Sequence, residues 1–493
     1  MALIDLNIPA GIYRNGTDFQ SMGRWNDANL VRWADGVMRP IGGWRTRSDT
    51  AGNAKLRGML AWADNSDDRW IASGSYNKLY VWNSAGTQWD ITPTGLTTGR
   101  EDAEAFTGYS GGGYGAYAYG VARPDTVNIL QATNWHLDQW GEYLVACNAD
   151  DGKIYEWDVN TANIATAVTN APTNNNAVLV TAERFMFALG ASGNPRLVKW
   201  SDREDNTTWT AAATNEAGDL ELQTSGKIVK GVNVRGQALI LTTRDAHAAS
   251  YIGPPFVYGF ERVGTSCGLA APQAVAVADV GAFWMGVNDF FVYNGSAVQE
   301  LPCEVSDYVF SDMNRAQISK AFATAIGTYG EIWWFYPSGA STENDRYVVY
   351  NYKENIWYTG DLARTAGVGR GAFRRPIFAK ASDYKIYDHE VGFNYDGLSP
   401  FAETGPFRIG TGDQVMSVVE LLPDEKTQGD VNATFKTKFY PNGAERSYGP
   451  YSLTAPTSVR FTGRQVRMRI DGQRLSDWRV GVNRVDAVAG GRR

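Results

Sequence analysis

The chain has 493 residues, a net charge of −7, 13% aromatic residues and 53 glycines. That length suits two to four ordinary domains, yet a ring of repeated sheets that share neighbours takes it up as one unit. The acidic balance excludes a surface that grips nucleic acid throughout, and no apolar run reaches the roughly 18 residues of a membrane-spanning helix.

Strand-like runs dominate in chain order. Residues 29–40 read as a hairpin, with Asn29 to Trp33 meeting the Asp35-Gly36 turn and then Val37 to Pro40. Short strands follow at 59–62, 69–73, 78–82 and 88–92, and then a Gly/Tyr tract, GYSGGGYGAYAYG, at 108–120. Its glycines forbid a stable helix and its tyrosines offer rigid contact surface. Four apolar runs between 227 and 262, separated by Arg235-Gly236, Arg244-Asp245 and Gly253-Pro254-Pro255, give the clearest four-stranded repeat. Ser306 opens the best helix pattern, 306–320.

A short motif, apolar-Tyr-x-aromatic running into Asn, Asp or Gly, recurs at 79–83, 154–158, 197–202, 291–295, 348–351 and 386–388. Its spacing often falls near the about 40–50 residues of one propeller blade. The fold class expected is therefore all-β: a β-propeller of about six blades at 45–399, preceded by an arm and hairpin at 1–44. A C-terminal antiparallel β module at 400–493 follows, because Val466, Met468 and Ile470 alternate with Arg467 and Arg469. From Arg460 onward there are nine Arg against three Asp, so a basic end follows an acidic body. The arginine-bearing face is either solvated or turned to a partner.

No catalytic signature stands out. Gly108-Tyr109-Ser110-Gly111-Gly112 spells a hydrolase nucleophile string, but it lacks the following helix that such chemistry needs. His136, His247 and His389 are too far apart in sequence for metal-ligand spacing, and each reads as a surface or hydrogen-bonded core residue. Cys147, Cys267 and Cys303 read as idle thiols of a reducing cytosol. The start, MALIDLNIPAGIYRNG, has no leader pattern, so synthesis in the cytoplasm is expected. Asp138, Glu142 and Glu331 lie near tryptophans and are the carboxylates that a propeller glycosidase would draw on from different blades. No cofactor or metal is expected.

Several dispersed segments resemble the tail nozzle, or tail tubular, proteins of short-tailed bacteriophages. They are 29–44 (NLVRWADGVMRPIGGW), 135–157 (WHLDQWGEYLVACNADDGKIYEW), 289–295 (DFFVYNG), 331–352 (EIWWFYPSGASTENDRYVVYNY), 403–413 (ETGPFRIGTGD), 463–470 (GRQVRMRI) and the closing GGRR. The resemblance implies a non-enzymatic virion protein of the phage tail: a homohexameric ring below the head-tail adaptor, conducting double-stranded DNA and anchoring fibres or tailspikes. An acidic wall would let a duplex slide. Under that reading Tyr109, Tyr114 and Tyr117 of the Gly/Tyr tract, with Arg467, Arg469, Arg492 and Arg493, are the expected interface residues. The rival expectations are a glycan-binding, lectin-like propeller and a propeller glycosidase acting on surface saccharide.

Overall fold

The computed structural model describes residues 2–17, 19–105, 129–408, 414–440 and 442–491. Consecutive apolar runs pair as antiparallel meanders, because two-to-five-residue turns leave each strand beside the one before it. Seven four-stranded sheets built this way follow one another. Sheet I covers 57–90, II 135–167, III 177–221, IV 228–265, V 275–301 and VI 322–361. Sheet VII combines Ala366–Val368, Ile377–Ala379 and Ile386–His389 with Trp44–Thr46, which comes from far earlier in the chain. The first strands stand side by side from I to VII, and that of VII neighbours that of I. The molecule is thus an all-β fold of repeated four-stranded antiparallel sheets resembling a β-propeller.

The recurring motif marks the third strand of six of these sheets: Leu79–Asn83, Ile154–Trp157, Leu197–Trp200, Phe290–Tyr293, Arg346–Asn351 and Ile386–His389. Its aromatics fill the wedge between sheets, Trp82, Trp157 and Tyr293 being at most 1% exposed. About six blades are expected from sequence, with seven possible; among the described residues seven sheets of this kind follow one another. The third strand of sheet IV, Asp245–Gly253, reads DAHAASYIG and buries Ala246, Ala248 and Ala249 where the others place aromatics. Phe185, Phe187, Trp200 and Tyr258 crowd that wedge from elsewhere, with Phe187 and Tyr258 edge to face at 4.8 Å.

The hairpin expected near the start is present as Val31–Ala34 and Val37–Pro40, turned by Asp35 (φ 54°) and Gly36 (φ 72°). It drives Arg32, 1% exposed, between Glu331 at 2.9 Å and Glu390 at 2.6 Å, with its guanidinium 3.7 Å over the Tyr329 ring. The single helix expected at 306–320 is instead two short pieces, an α-helix at Ser306–Ser311 and a 3₁₀ turn at Arg315–Lys320. Asn314 breaks the run: its side chain accepts from the Ala316 N–H and starts the second piece afresh. Nor does Ser306 cap the first piece, since Asn15 accepts from the Asp307 N–H there.

The remaining long strands make two sheets packed face to face. One holds Ala2–Asp5, Arg484–Ala489, Met416–Leu422 and Thr457–Gly463; the other Trp25–Asn29, Phe401–Thr404, Gln465–Gly472, Val431–Lys438 and Arg446–Ser452. Phe435 and Phe461 stack between them at 4.8 Å, and Val466, Met468 and Ile470 point inward as the alternation required. The first 44 residues are not a separate arm, because they give each of these sheets an edge strand.

Candidate functional site: an axial chamber

The first strands of five sheets, I and IV to VII, surround a chamber of about 500 Å³ on the ring axis. Met59, Ala61, Val275, Val277, Ala323 and Ala325 give its walls apolar patches. Polar groups lie between these patches at two levels. At the end where the first strands finish lie Asp279, Tyr352 and Arg370, with the Tyr352 hydroxyl donating to Asp279 Oδ1 at 3.0 Å. Deeper in, Gln273 crosses the ring: its Nε2 donates to the Trp135 carbonyl of sheet II at 2.5 Å and its Oε1 accepts from Lys230 Nζ of sheet IV at 2.5 Å.

Beyond Gln273, the end where the first strands begin is strapped. Ala103 and Gln317 exchange two hydrogen bonds of 2.9 Å, and Asn134 Nδ2 donates to the Ser319 carbonyl at 2.9 Å. These bonds join the segment between sheets I and II to the one between sheets V and VI, across the axis. Lys320, fully buried on its side chain, donates to Glu343 at 2.8 Å, to Asp102 at 2.5 Å and to the Thr342 carbonyl at 2.6 Å. Arg57 holds the same Glu343 with two bonds of 2.7 and 2.8 Å.

Lys230 differs from Lys320 in having no carboxylate within ion-pair distance; its one side-chain hydrogen bond goes to the neutral Gln273 amide. Burial among apolar walls disfavours the ammonium and pushes its pKa down to about 8, although Asp138 partly offsets this. Burial pushes Asp138 the other way, up to about 6, against the pull of two backbone donors, Val180 N–H at 2.7 Å and Gln139 N–H at 2.8 Å. His136, on the same strand as Asp138, is buried and driven down to about 3, with the Lys230 charge adding to the effect. It is neutral at physiological pH. Lys230 in the chamber lining and Asp138 outside it are thus a base and an acid whose pKa values are both moved toward neutrality.

Of the three carboxylates suggested by sequence, Asp138 is the one whose charge is felt at Lys230, although it does not line the chamber. Glu331 is locked by Arg32, the Trp333 Nε1–H at 2.8 Å and the Tyr358 hydroxyl. Glu142 sits at an outer turn, where it accepts from the Asn65 N–H at 3.3 Å. No pair of the three faces a common space, so the two-carboxylate arrangement of a glycosidase is not assembled from them. The other histidines are in separate places: His389 accepts from Arg364 Nε at 3.0 Å and His247 lies 3.2 Å from Asp245. Among the described residues no three metal-ligating side chains gather. Burial raises all three thiols, Cys303 to about 12, which leaves them protonated.

Tyr109, Tyr114, Tyr117, Arg492 and Arg493 lie outside the described residues. Arg467 and Arg469 are far from the chamber, on the outer face of the five-stranded sheet. Arg469 lies 3.7 Å over Phe401 and bonds Asp471 at 2.9 Å, and both arginines approach Glu403, which Lys436 holds at 2.7 Å. On that face three cations, Arg467, Arg469 and Lys436, share two carboxylates, Glu403 and Asp471. Lys230, Gln273, Asp279 and Arg370 were missed by sequence reasoning. The one local signal was a lone lysine inside the apolar run IVKGVNV of Ile228–Val234.

No family model and no curated protein matches this chain. Among solved structures it is similar to virginiamycin B lyase from Staphylococcus aureus, at 9% identity and a TM-score of 0.43 over 70% of this chain and 97% of that one. It is also similar to a fungal alcohol oxidase, at 12% and 0.43 over 90% and 93%, and to the Pan2 WD40 domain of Neurospora crassa, at 8% and 0.38 over 70% and 94%. At such identities likeness speaks to fold. The resemblance to phage tail nozzles is corrected by these matches, which are to lyase, oxidase and WD40 structures and not to a tail-tube family. With it go the virion role, the genome-conducting function and the expectation of a chain without enzymatic activity. Among the described residues no helix is long and apolar enough to cross a membrane.

Proposed function

We propose that the seven sheets form a closed seven-bladed propeller whose axial chamber binds a saccharide unit and acts on it, with Lys230 as the base. The observation that carries this reading is the lysine without an ion pair in the lining of the chamber. Around it stand donors and acceptors suited to a polyhydroxylated ring: the Gln273 amide, the Thr324 and Tyr352 hydroxyls, the Asp279 carboxylate and the Arg370 guanidinium. The alanine and valine walls offer apolar surface to the C–H face of such a ring. The chemistry is not that of a two-carboxylate glycosidase. It is proton transfer at a single bound unit, by an amine whose pKa is lowered to about 8.

Calorimetric titration of the intact protein with methyl glycosides of neutral, amino and uronic sugars tests the reading. Binding by at least one class, weakened about tenfold or more by Lys230→Met, is expected. Absence of binding across the panel, or binding untouched by that substitution, overturns it.

A further inference from the structure

Lys230 is the only lysine that lines the axial chamber. Its nitrogen is fixed on one side by Gln273 Oε1 at 2.5 Å, and Gln273 is itself tied across the ring to the Trp135 carbonyl. An amine restrained in this way presents its remaining positions to the space above it. Charged and titratable groups around it are Asp138 and His136 from sheet II, with Asp279, Tyr352 and Arg370 toward the mouth. None of these forms an ion pair with it. A partly buried lysine held by a neutral amide, with no ion pair to keep it protonated, is an arrangement that favours a nucleophilic amine.

We propose that Lys230 captures the aldehyde carbon of an open-chain sugar or related hydroxy-aldehyde and holds it as an imine. The inference rests on the chamber being the saccharide site. In the step, the Nζ lone pair forms a bond to the carbonyl carbon and the carbonyl electron pair moves to oxygen, which takes up a proton. The carbinolamine then loses that oxygen as water, both hydrogens of the neutral amine leaving with it, and a C=N bond remains. No oxidant or reductant takes part. The proton that assists departure of the hydroxyl comes from solvent at the open mouth of the chamber. The hydroxyls of the captured chain then face Thr324, Tyr352 and Asp279. At pH 8 about half of Lys230 is free amine, against under about 1% of a solvent-exposed lysine.

The test is reductive trapping on the intact protein. Glycolaldehyde with sodium cyanoborohydride at pH 8, followed by peptide mass mapping, should modify Lys230 about tenfold faster than the exposed Lys227 three residues away. An excess of a chamber-binding methyl glycoside, which cannot open to an aldehyde, should slow the reaction at Lys230 and leave Lys227 unaffected. Modification of Lys230 no faster than Lys227 overturns the imine. If methyl glycosides still bind in that case, the saccharide site stands and only the covalent step fails. If neither trapping nor glycoside binding occurs, both readings fail together.

Discussion

Two lysines stand on either side of Gln273, Lys320 buried in the strap and Lys230 partly buried in the chamber lining, and the chain treats them in opposite ways. At the strapped end Lys320 is surrounded by Glu343, Asp102 and a carbonyl, a geometry that satisfies all three of its donors. At the chamber end Lys230 has one neutral amide and free space. The first cation closes the ring and the second opens chemistry in it. The difference separates a structural charge from a functional one without reference to any relative: burial with full pairing fixes a fold, whereas burial without pairing leaves a cost that a ligand can relieve.

Substitutions at the two ends should therefore differ in sign. Lys320→Met leaves Asp102 and the Thr342 carbonyl without their partner and breaks the strap, at an expected cost of about 3 kcal/mol in chemical denaturation. Lys230→Met should do the reverse and stabilise the protein at pH 7 by about 1–2 kcal/mol, a figure reduced because the chamber admits some water. Its sign with pH follows from a folded pKa of about 8 set below the ordinary 10.5. Between those values the unfolded chain binds the extra proton, so the wild type gains stability as pH rises through the window. The advantage of the methionine variant is full below pH 8 and gone above about pH 10.5. Thermal melts of both proteins from pH 7 to 10.5 would show the two curves converging; parallel curves would mean that Lys230 is not held as described.

Smaller effects sharpen the contrast. Gln273→Ala removes the link between Lys230 and the Trp135 carbonyl and should cost about 1 kcal/mol in stability. It should also slow aldehyde trapping at Lys230, which a purely structural glutamine would not do. Arg469→Ala, on the outer face of the five-stranded sheet, should cost under about 1 kcal/mol in a urea midpoint, since its ion pairs are half-exposed and only its stacking on Phe401 is lost. It should leave glycoside binding unchanged.

Local pattern carried much of the fold. The strand ends at Leu79–Asn83 and Ile154–Trp157 announced themselves because an aromatic must fill each wedge, and the outer alternation of Gln465–Gly472 follows from one buried face. Sheet IV is legible from its four turn-separated apolar runs and not from the motif, because alanines take the aromatic positions of its third strand while Tyr258 and Trp200 reach in from neighbouring strands. The edge strands Ala2–Asp5 and Trp25–Asn29 could not be placed, since their partners lie at Arg484–Ala489 and Phe401–Thr404 and nothing local encodes so distant a pairing. The chamber was least legible of all. Lys230, Gln273 and Arg370 come from different sheets or the turns beside them, and only the ring of sheets brings them together.

Sheet VII has a temporal consequence. Trp44–Thr46 emerges early from the ribosome, but the strand that it must pair with, Ile386–His389, is among the last of the ring to be made. Until then the nascent chain carries two unpaired edges, on the waiting strand and on whichever sheet is newest. The ring is thus assembled open and shut from both ends at once. Cells that make this protein have to shield those edges during synthesis, and a ribosome stalled anywhere between sheets I and VI would release a chain prone to recruit strands from its neighbours.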